Sequence, residues 1–499
     1  MHAMCRYDNI LILLSILPVQ FCSAKPNGWE VVVNTTMAGR HKSAHVIDGV
    51  EATSDTLTSR GGLIFFVRYL RNIAIYPVLE RLFGSIRKNA KGQLVSEIFK
   101  QLFCFLLDGT SRHLVYFDAL KKDEGYAAAI ETVPEQMLSS HAVKRFLGAF
   151  SWYRIWLFRS LLKQLFRWRL QIRKPKVVVL GMDTMVMDND EARKRHGVEP
   201  TYKKVNGFQP LHLTWEGLII DAVFRGGSKH SNDGDTALKM VTHIVKFIRK
   251  HYGEDVPIIL RLDAGFFDQE LFKGFEKLQI GYICGGRVYE ELKTRAEKAE
   301  TGQWRQYRNR QQVWDYLELG DRRRTWKTFR RAFLCRPVAE GRQRLLDYAR
   351  PLSIFYTNLG MAQAIDQRLA AVGQHHHLEA EGIIAGYHGR GSDELVHRGL
   401  KDFGFEELPF LRFAPNAALY YTMLVAFFLF ECFKEDVCGE VIPVESYATT
   451  VRRRLIDVAA KIVRHAGKTI LKVAAAAMEQ LQFAALWSRS SAPPSFAWA

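Results

Sequence analysis

Two short runs decide what kind of sheet this chain can build. Lys176–Met187 (KVVVLGMDTMVM) and Pro257–Asp263 (PIILRLD) are apolar over most of their length, and each carries an aspartate where the apolar run gives out. A short β-branched run without polar alternation reads as a buried strand, so helices must cover the sheet. Around the two runs the pattern adds strand-like Tyr202–Trp215, strand-like Leu218–Phe224 and a helical period over Thr236–Lys250. A short helix at Gln269–Lys277 and a strand at Ile280–Cys284 follow. Three strands, a helix, a strand, a helix and a strand predict an α/β domain built on a mixed sheet.

The flanks differ in period. From Gly62 to about Arg167 apolar residues recur at three and four, in Leu63–Tyr76, Leu94–Leu107 and Phe146–Phe166, which predicts a helical module. Ala417–Phe433 (AALYYTMLVAFFLFECF) is apolar all round and reads as a buried core helix rather than a membrane span. Residues 10–17 (ILILLSIL) before Cys22-Ser23-Ala24 have the layout of a signal peptide. The rest of the chain disagrees with export, and Met37 offers an alternative start, so residues 1–51 read as a signal-like or mis-started, poorly ordered leader.

Charge narrows the partner. Lys and Arg number 70 against 52 Asp and Glu, a formal +18, and such an excess seeks nucleic acid first and an anionic membrane second. The excess is uneven: Thr301–Pro351 holds thirteen Lys/Arg against five Asp/Glu, with Trp304, Trp314 and Trp326 among them and its densest points at Arg322-Arg323-Arg324 and Arg330-Arg331. Alternating pieces there predict a mainly β insertion with a basic, aromatic surface. The seven cysteines are scattered without a CxxC, which argues against a disulfide framework or zinc site and for an intracellular, cytoplasmic chain.

The acids suggest the chemistry. Asp183 and Asp263 at strand ends face the crevice where open α/β sheets bind ligands. A third acid is available in Tyr387-His388-Gly389-Arg390-Gly391-Ser392-Asp393-Glu394. Ser392 reads as an N-cap, which puts Glu394 in the first turn of a helix to about Phe403. At about 100° per residue Glu394 and Lys401 then lie roughly 20° apart on one face. Three carboxylates without His or Cys favour two Mg²⁺ or Mn²⁺ ions, which suit in-line displacement at a phosphodiester. Asp188 and Asp190 compete with Asp183, Asp393 with Glu394, and Asp268 with Asp263.

Tyr387, Arg390, Glu394 and Lys401 stand at the spacing Y-x2-R-x3-E-x6-K. With LGMDTMVM, IILRLDAGFF and the segment from Tyr387 to Phe433, the chain resembles DDE transposases of the insertion-sequence 1380 family over about Ala52–Phe483. The resemblance implies a ribonuclease-H-like catalytic fold interrupted by a β-rich insertion, with N-terminal and C-terminal helical regions. It divides the chain into a leader (1–51), a helical DNA-binding module (52–170) and a first part of the catalytic core (171–286). The basic insertion (287–380), the second core part (381–435) and a C-terminal helical region and tail (436–499) complete it. Asp183, Asp263 and Glu394 would be the catalytic, metal-binding triad, with Glu394 some 131 residues beyond Asp263 because the insertion intervenes.

The same resemblance implies that Tyr387, Arg390 and Lys401 hold DNA phosphates, with Arg322, Arg323 and Arg324 on the gripping insertion. Trp304, Trp314 and Trp326 are candidates to stack a flipped base beside a hairpin end. The implied partners are terminal inverted repeats and target DNA, with a homodimer in a synaptic complex and, in a bacterial cell, nucleoid association. Arg225–His230 is an expected loop that either touches DNA or is a plain turn. Arg452-Arg453-Arg454, on a C-terminal helical pattern with Lys461, Arg464, Lys468 and Lys472, reads as a solvated face. His375-His376-His377 reads as an exposed run. A catalytically inactive DNA-binding remnant or transposition inhibitor is the alternative reading, and an exported or membrane-bound enzyme is a third.

Overall fold

The computed structural model describes residues 47, 49–86, 92–309, 312–324, 326–338, 352–494 and 498. Two units are distinguished, Met1–Ser54 and Asp55–Ala499. In the first, the described residues form no helix or strand, and the signal-like segment lies outside the described residues. All that follows concerns the second.

Its main sheet runs through β1 (Val178–Thr184), β2 (Leu211–Trp215), β3 (Leu218–Val223), β4 (Ile258–Leu262) and β5 (Gly281–Gly285), then β6 (Arg305–Arg308), β7 (Val313–Asp321), β8 (Arg330–Pro337) and β9 (Ser353–Thr357). The nine strands lie in the order β6-β7-β8-β9-β5-β4-β1-β2-β3. β4 is parallel to both β1 and β5, and every other pairing is antiparallel. All residues of β2 and β5 are buried, as are most of β1 and β4. This is the mixed α/β sheet that unbroken apolar runs demand. The expected single strand over Tyr202–Trp215 is two, because Pro210 has no N–H to give to a ladder. Asn206–Phe208 instead joins Met187–Asp188 and Glu199–Pro200 in a small sheet of its own.

The insertion continues the main sheet. β9 pairs with β5, and β8, β7 and β6 add outward from it, so the basic segment extends the sheet that carries Asp183 and Asp263. Its residues 339–351 lie outside the described ones.

Helices α1 (Leu63–Asn72), α2 (Val95–Asp108), α3 (Trp156–Arg173), α4 (Thr236–His251), α5 (Gln269–Lys277), α6 (Ala380–His388), α7 (Gly391–Phe403) and α8 (Phe413–Phe433) supply the cover relevant to the site. α8 is the molecule's central post. Its apolar window is 89% buried, packed on α1 through Phe66 and Phe433, on α3 through Phe158 and Tyr421, and on α7 through Phe403 and Phe430. Its polar atoms are satisfied internally: Thr422 donates to the Ala418 carbonyl at 2.8 Å and Tyr421 to the Ala222 carbonyl at 2.8 Å. Protein therefore covers the surface that a bilayer would otherwise have to cover.

The C-terminal region is helical at Ala475–Gln480 and Phe483–Ser491 and departs from the helical expectation just before them. Ala460–His465 and Lys468–Val473 pair as an antiparallel hairpin, and Thr56–Thr58 adds a third strand. Ala466 and Gly467 turn it with φ of 48° and 74°, the left-handed pair that a tight hairpin turn requires. Lys461, Arg464, Lys468 and Lys472 thus lie on strands, Lys461 directly opposite Lys472. Arg452 is no solvated charge either: it donates to the carbonyls of Leu106, Leu107, Asp402 and Phe403, clamping the ends of α2 and α7 together. A cation at two helix carboxyl ends meets their exposed carbonyls and their dipoles at once. Arg453 and Arg454 are exposed.

Candidate active site

β1 and β4 run side by side in register, Met182 opposite Leu262, so their carboxyl ends emerge together. Asp183 is the next residue of β1, and Asp263 is the first residue after β4. Backbone donors orient both. The Thr184 N–H donates to Asp183 Oδ1 at 2.7 Å, and the Gly265 N–H to Asp263 Oδ1 at 2.9 Å.

α7 crosses over this end of the sheet, and Gly181 in the middle of β1 sets how close it comes. A β-carbon at 181 would stand 2.4 Å from Asp393 Oδ2, a separation no atom tolerates. The bare position lets Asp393 sink between strands, where it pairs with Arg261 at 3.0 Å and accepts from Thr214 Oγ1 at 3.3 Å. Asp393 therefore anchors α7. Its neighbour Glu394, about 100° further round the helix, has a 57% exposed side chain and pairs with Arg390 at 3.0 Å.

The helix begins at Gly391, so Ser392 lies inside its first turn, and Arg390 occupies the N-cap position. The expected Ser392 cap is not used, because α6 and α7 follow each other with only Gly389 and Arg390 between them. Glu394 and Lys401 share a helical face, yet Lys401 Nζ pairs with Glu406 at 2.6 Å while Glu394 keeps Arg390.

Electrostatics ties these groups into one site. Burial, then the charge of Asp263, pushes the Asp183 carboxyl up to about 7; Glu394 adds to the rise while the Thr184 N–H and Arg390 oppose it. Asp263 is raised by burial, again with Glu394 reinforcing and Arg390 opposing. Three carboxylates and one guanidinium thus share a crevice. Tyr387 lies beneath it: its ring stacks on Phe355 at 4.3 Å, and burial raises its hydroxyl.

The rival acids have structural work. Asp188 accepts from the Asp190 N–H at 2.9 Å, Asp190 from the Asn206 N–H at 3.1 Å, and Asp268 caps α5 by accepting from Glu270 and Leu271.

A divalent cation can be tested against this geometry. Among the described residues no group of three or more His, Cys, Asp or Glu side chains is drawn together as a ready metal cage. The donor set fits a hard cation all the same. Asp183 and Asp263 are all-oxygen ligands whose mutual repulsion a cation would relieve, and Glu394 is held off by its pairing with Arg390.

The other expected contacts divide. Trp326 is buried against Phe267, Phe272 and Tyr356; Trp314 packs its ring 4.2 Å from His388; Trp304 lies under Arg336 at 4.1 Å. Arg322 and Arg324 are exposed, while Arg323 is surrounded by rings. Arg225 is buried and donates to the carbonyls of Gln209 and His230, so it braces its loop. His375 and His376 are exposed, and burial lowers half-buried His377 to about 4.

Four residues around the crevice were not legible as site residues. Tyr202, 60% exposed at the tip of the turn between Glu199–Pro200 and Asn206–Phe208, has its hydroxyl raised by burial and then by Asp183, Asp263 and Glu394 together. Burial lowers His397 to about 4, with Lys401 and then Lys203, beside Tyr202, adding to the fall. His397 sits 3.9 Å from Asp183, and buried His212 contacts His397. The spacing Glu394-x2-His397 on a helix was the available signal for His397. Nothing in the sequence pointed to His212.

A family model described as transposase DDE domain group 1 matches residues 44–492. No curated protein matches the chain. Among solved structures, a cryo-EM structure of a piggyBac transposase synaptic complex with hairpin DNA is similar at 12% identity and a TM-score of 0.34, over 81% of this chain and 82% of that one.

Proposed function

Because the chain belongs to the transposase DDE domain group 1 family, we propose that it is a transposase of the insertion-sequence 1380 type. It binds the terminal inverted repeats of its own element and catalyses divalent-metal-dependent strand cleavage and strand transfer, through a hairpin end, as a homodimer in a synaptic complex. The observation that carries the reading is the pair of strand-end aspartates at the crevice that α7 closes, both raised by burial and both acted on by Arg390 and Glu394, with Asp263 raising Asp183 further.

Asp183, Asp263 and Glu394 would hold two Mg²⁺ or Mn²⁺ ions. Bound there, such ions supply charge stabilisation for displacement at a phosphodiester. The chain's own groups do the rest. Arg390 is the cation that pairs with Glu394 and opposes the rise of Asp183 and Asp263, and its planar fork suits a bidentate grip on a phosphate once Glu394 turns away. Lys401, 33% exposed and about two turns further along the same helical face as Glu394, offers a point charge to the DNA backbone. Tyr387 supports the crevice floor by stacking on Phe355. Tyr202 offers an exposed aromatic face at the rim, where base stacking contributes about 1–3 kcal/mol.

The test is strand cleavage of terminal-repeat DNA in Mg²⁺ by wild type, Asp183→Asn and Glu394→Gln. Cleavage by wild type alone is expected. Normal cutting by either variant would sink the triad.

A further inference from the structure

A chain of buried polar groups runs from the first acid into the heart of the protein. His397 Nδ1 stands 3.9 Å from Asp183 Oδ2. On the other side of that ring, His397 Nε2 meets His212 Nδ1 at 2.9 Å, and His212 Nε2 hydrogen-bonds the hydroxyl of Tyr420 on α8. His212 faces Asp183 directly across the β1–β2 ladder, and its ring lies parallel to that of Tyr420. His212 and Tyr420 are fully buried, and His397 is 9% exposed.

Hydrogen-bond arithmetic fixes the direction of the chain. Among the described residues the Tyr420 hydroxyl has one partner, His212 Nε2. If the phenol donates, Nε2 is a lone pair and His212 carries its proton on Nδ1. That N–H then donates to His397 Nε2, which leaves the His397 proton on Nδ1, aimed at Asp183. The reverse order would leave the phenol hydrogen buried without an acceptor, a cost of about 1–3 kcal/mol, and would turn a lone pair toward a carboxylate. A single set of tautomers satisfies both hydrogen bonds of the chain and leaves the His397 Nδ1–H facing the carboxylate.

We infer that Tyr420, His212 and His397 form a positioning relay that locks His397 as its Nδ1–H tautomer and thereby fixes the carboxylate plane of Asp183. The Thr184 N–H donates to Oδ1 at 2.7 Å, and His397 Nδ1 faces Oδ2 across 3.9 Å, an electrostatic contact longer than a hydrogen bond that biases the same carboxylate from its other side. Outer donors of this kind set the orientation of a ligating carboxylate, and removing one typically costs 10–100-fold. The role of the relay rests on the reading of Asp183 as a catalytic acid.

The test uses full-length protein labelled with ¹⁵N-histidine, with the two rings assigned from His212→Gln and His397→Gln. Both rings are expected as neutral Nδ1–H tautomers. Tyr420→Phe, which removes one oxygen from a packed ring, is expected to release those tautomers and to slow strand cleavage at least tenfold with unchanged DNA affinity. Nε2–H at either ring, or a Tyr420→Phe protein that keeps the wild-type tautomers or the wild-type cleavage rate, would overturn the relay. The functional reading fails separately: wild type cutting no faster than Asp183→Asn removes the role, while the ring tautomers are still judged by the spectrum.

Discussion

The crevice under α7 and the arginine-rich strands β7–β9 are both crowded with charge, and they spend it differently. In the strands, guanidinium groups are enclosed by the protein itself. Arg323 lies over Phe267 and Tyr289 at 4.4 and 4.5 Å and donates to Tyr356. Arg330, with a side chain 6% exposed, pairs with Glu276 and donates to Tyr282. Arg331 reaches Glu318 and the carbonyls of Leu359 and Leu378. In the crevice the proportions reverse, with three acids sharing Arg390, which has one exposed ion-pair partner in Glu394. A guanidinium boxed between rings and carboxylates belongs to the fold. One held by a single exposed carboxylate can exchange it for a phosphate.

The comparison can be broken in four ways, in descending size of effect. Asp183→Asn should lower strand cleavage on the order of 10³-fold, the several kcal/mol that metal-assisted charge stabilisation represents, without loss of fold by circular dichroism. Arg330→Ala should instead lower unfolding stability by about 3 kcal/mol in urea titration, since it strands Glu276 and empties a ring-lined slot. An unchanged urea midpoint with lost DNA binding would show that the arginine-rich strands are a grip after all.

The third is a pH dependence. Burial holds both Asp183 and Asp263 above the ordinary carboxyl range, so the stability each contributes is present below about pH 4 and is lost as pH rises, for Asp183 through about 7. In metal-free buffer the stability difference between Asp183→Asn and wild type should grow over that window, and Mg²⁺ should flatten it. A difference independent of pH would show that burial and the neighbouring charge do not raise Asp183. Smallest is Arg324→Ala at an exposed position: the slope of log affinity against log salt should ease by about one unit, with the urea midpoint unmoved.

How much of this was legible follows from how local each signal is. β1, β4, α4 and α5 stand within a few residues of where apolar period and turn residues put them, because a strand without a wet face advertises itself. Asp183 and Asp263 fell at the ends of those strands for the same reason. The count of thirteen cations against five acids could not say which were already paired, since Arg330 meets Glu276 and Arg331 meets Glu318 through folding rather than proximity in sequence. The helical arithmetic for Glu394 and Lys401 was correct on the face and silent on the partners. The hairpin at 460–473 was missed because its basic residues also fit a helical period, while the left-handed turn at Ala466-Gly467 that decides the matter is one dipeptide. His212 and His397 lie 185 residues apart, and only the folded sheet introduces them.

The crevice is assembled from two stretches of chain with the whole insertion between them, and this has a consequence in time. A ribosome delivers Asp183 and Asp263 early, but Glu394, Arg390 and the post α8 that supports them follow only when synthesis reaches Phe433, 170 residues after Asp263. At about 5–20 residues per second that gap is roughly 10–30 seconds. Throughout it the nascent chain exposes its two paired aspartates without their roof. Whatever nicking activity the finished protein has is withheld until helix α8 is in place.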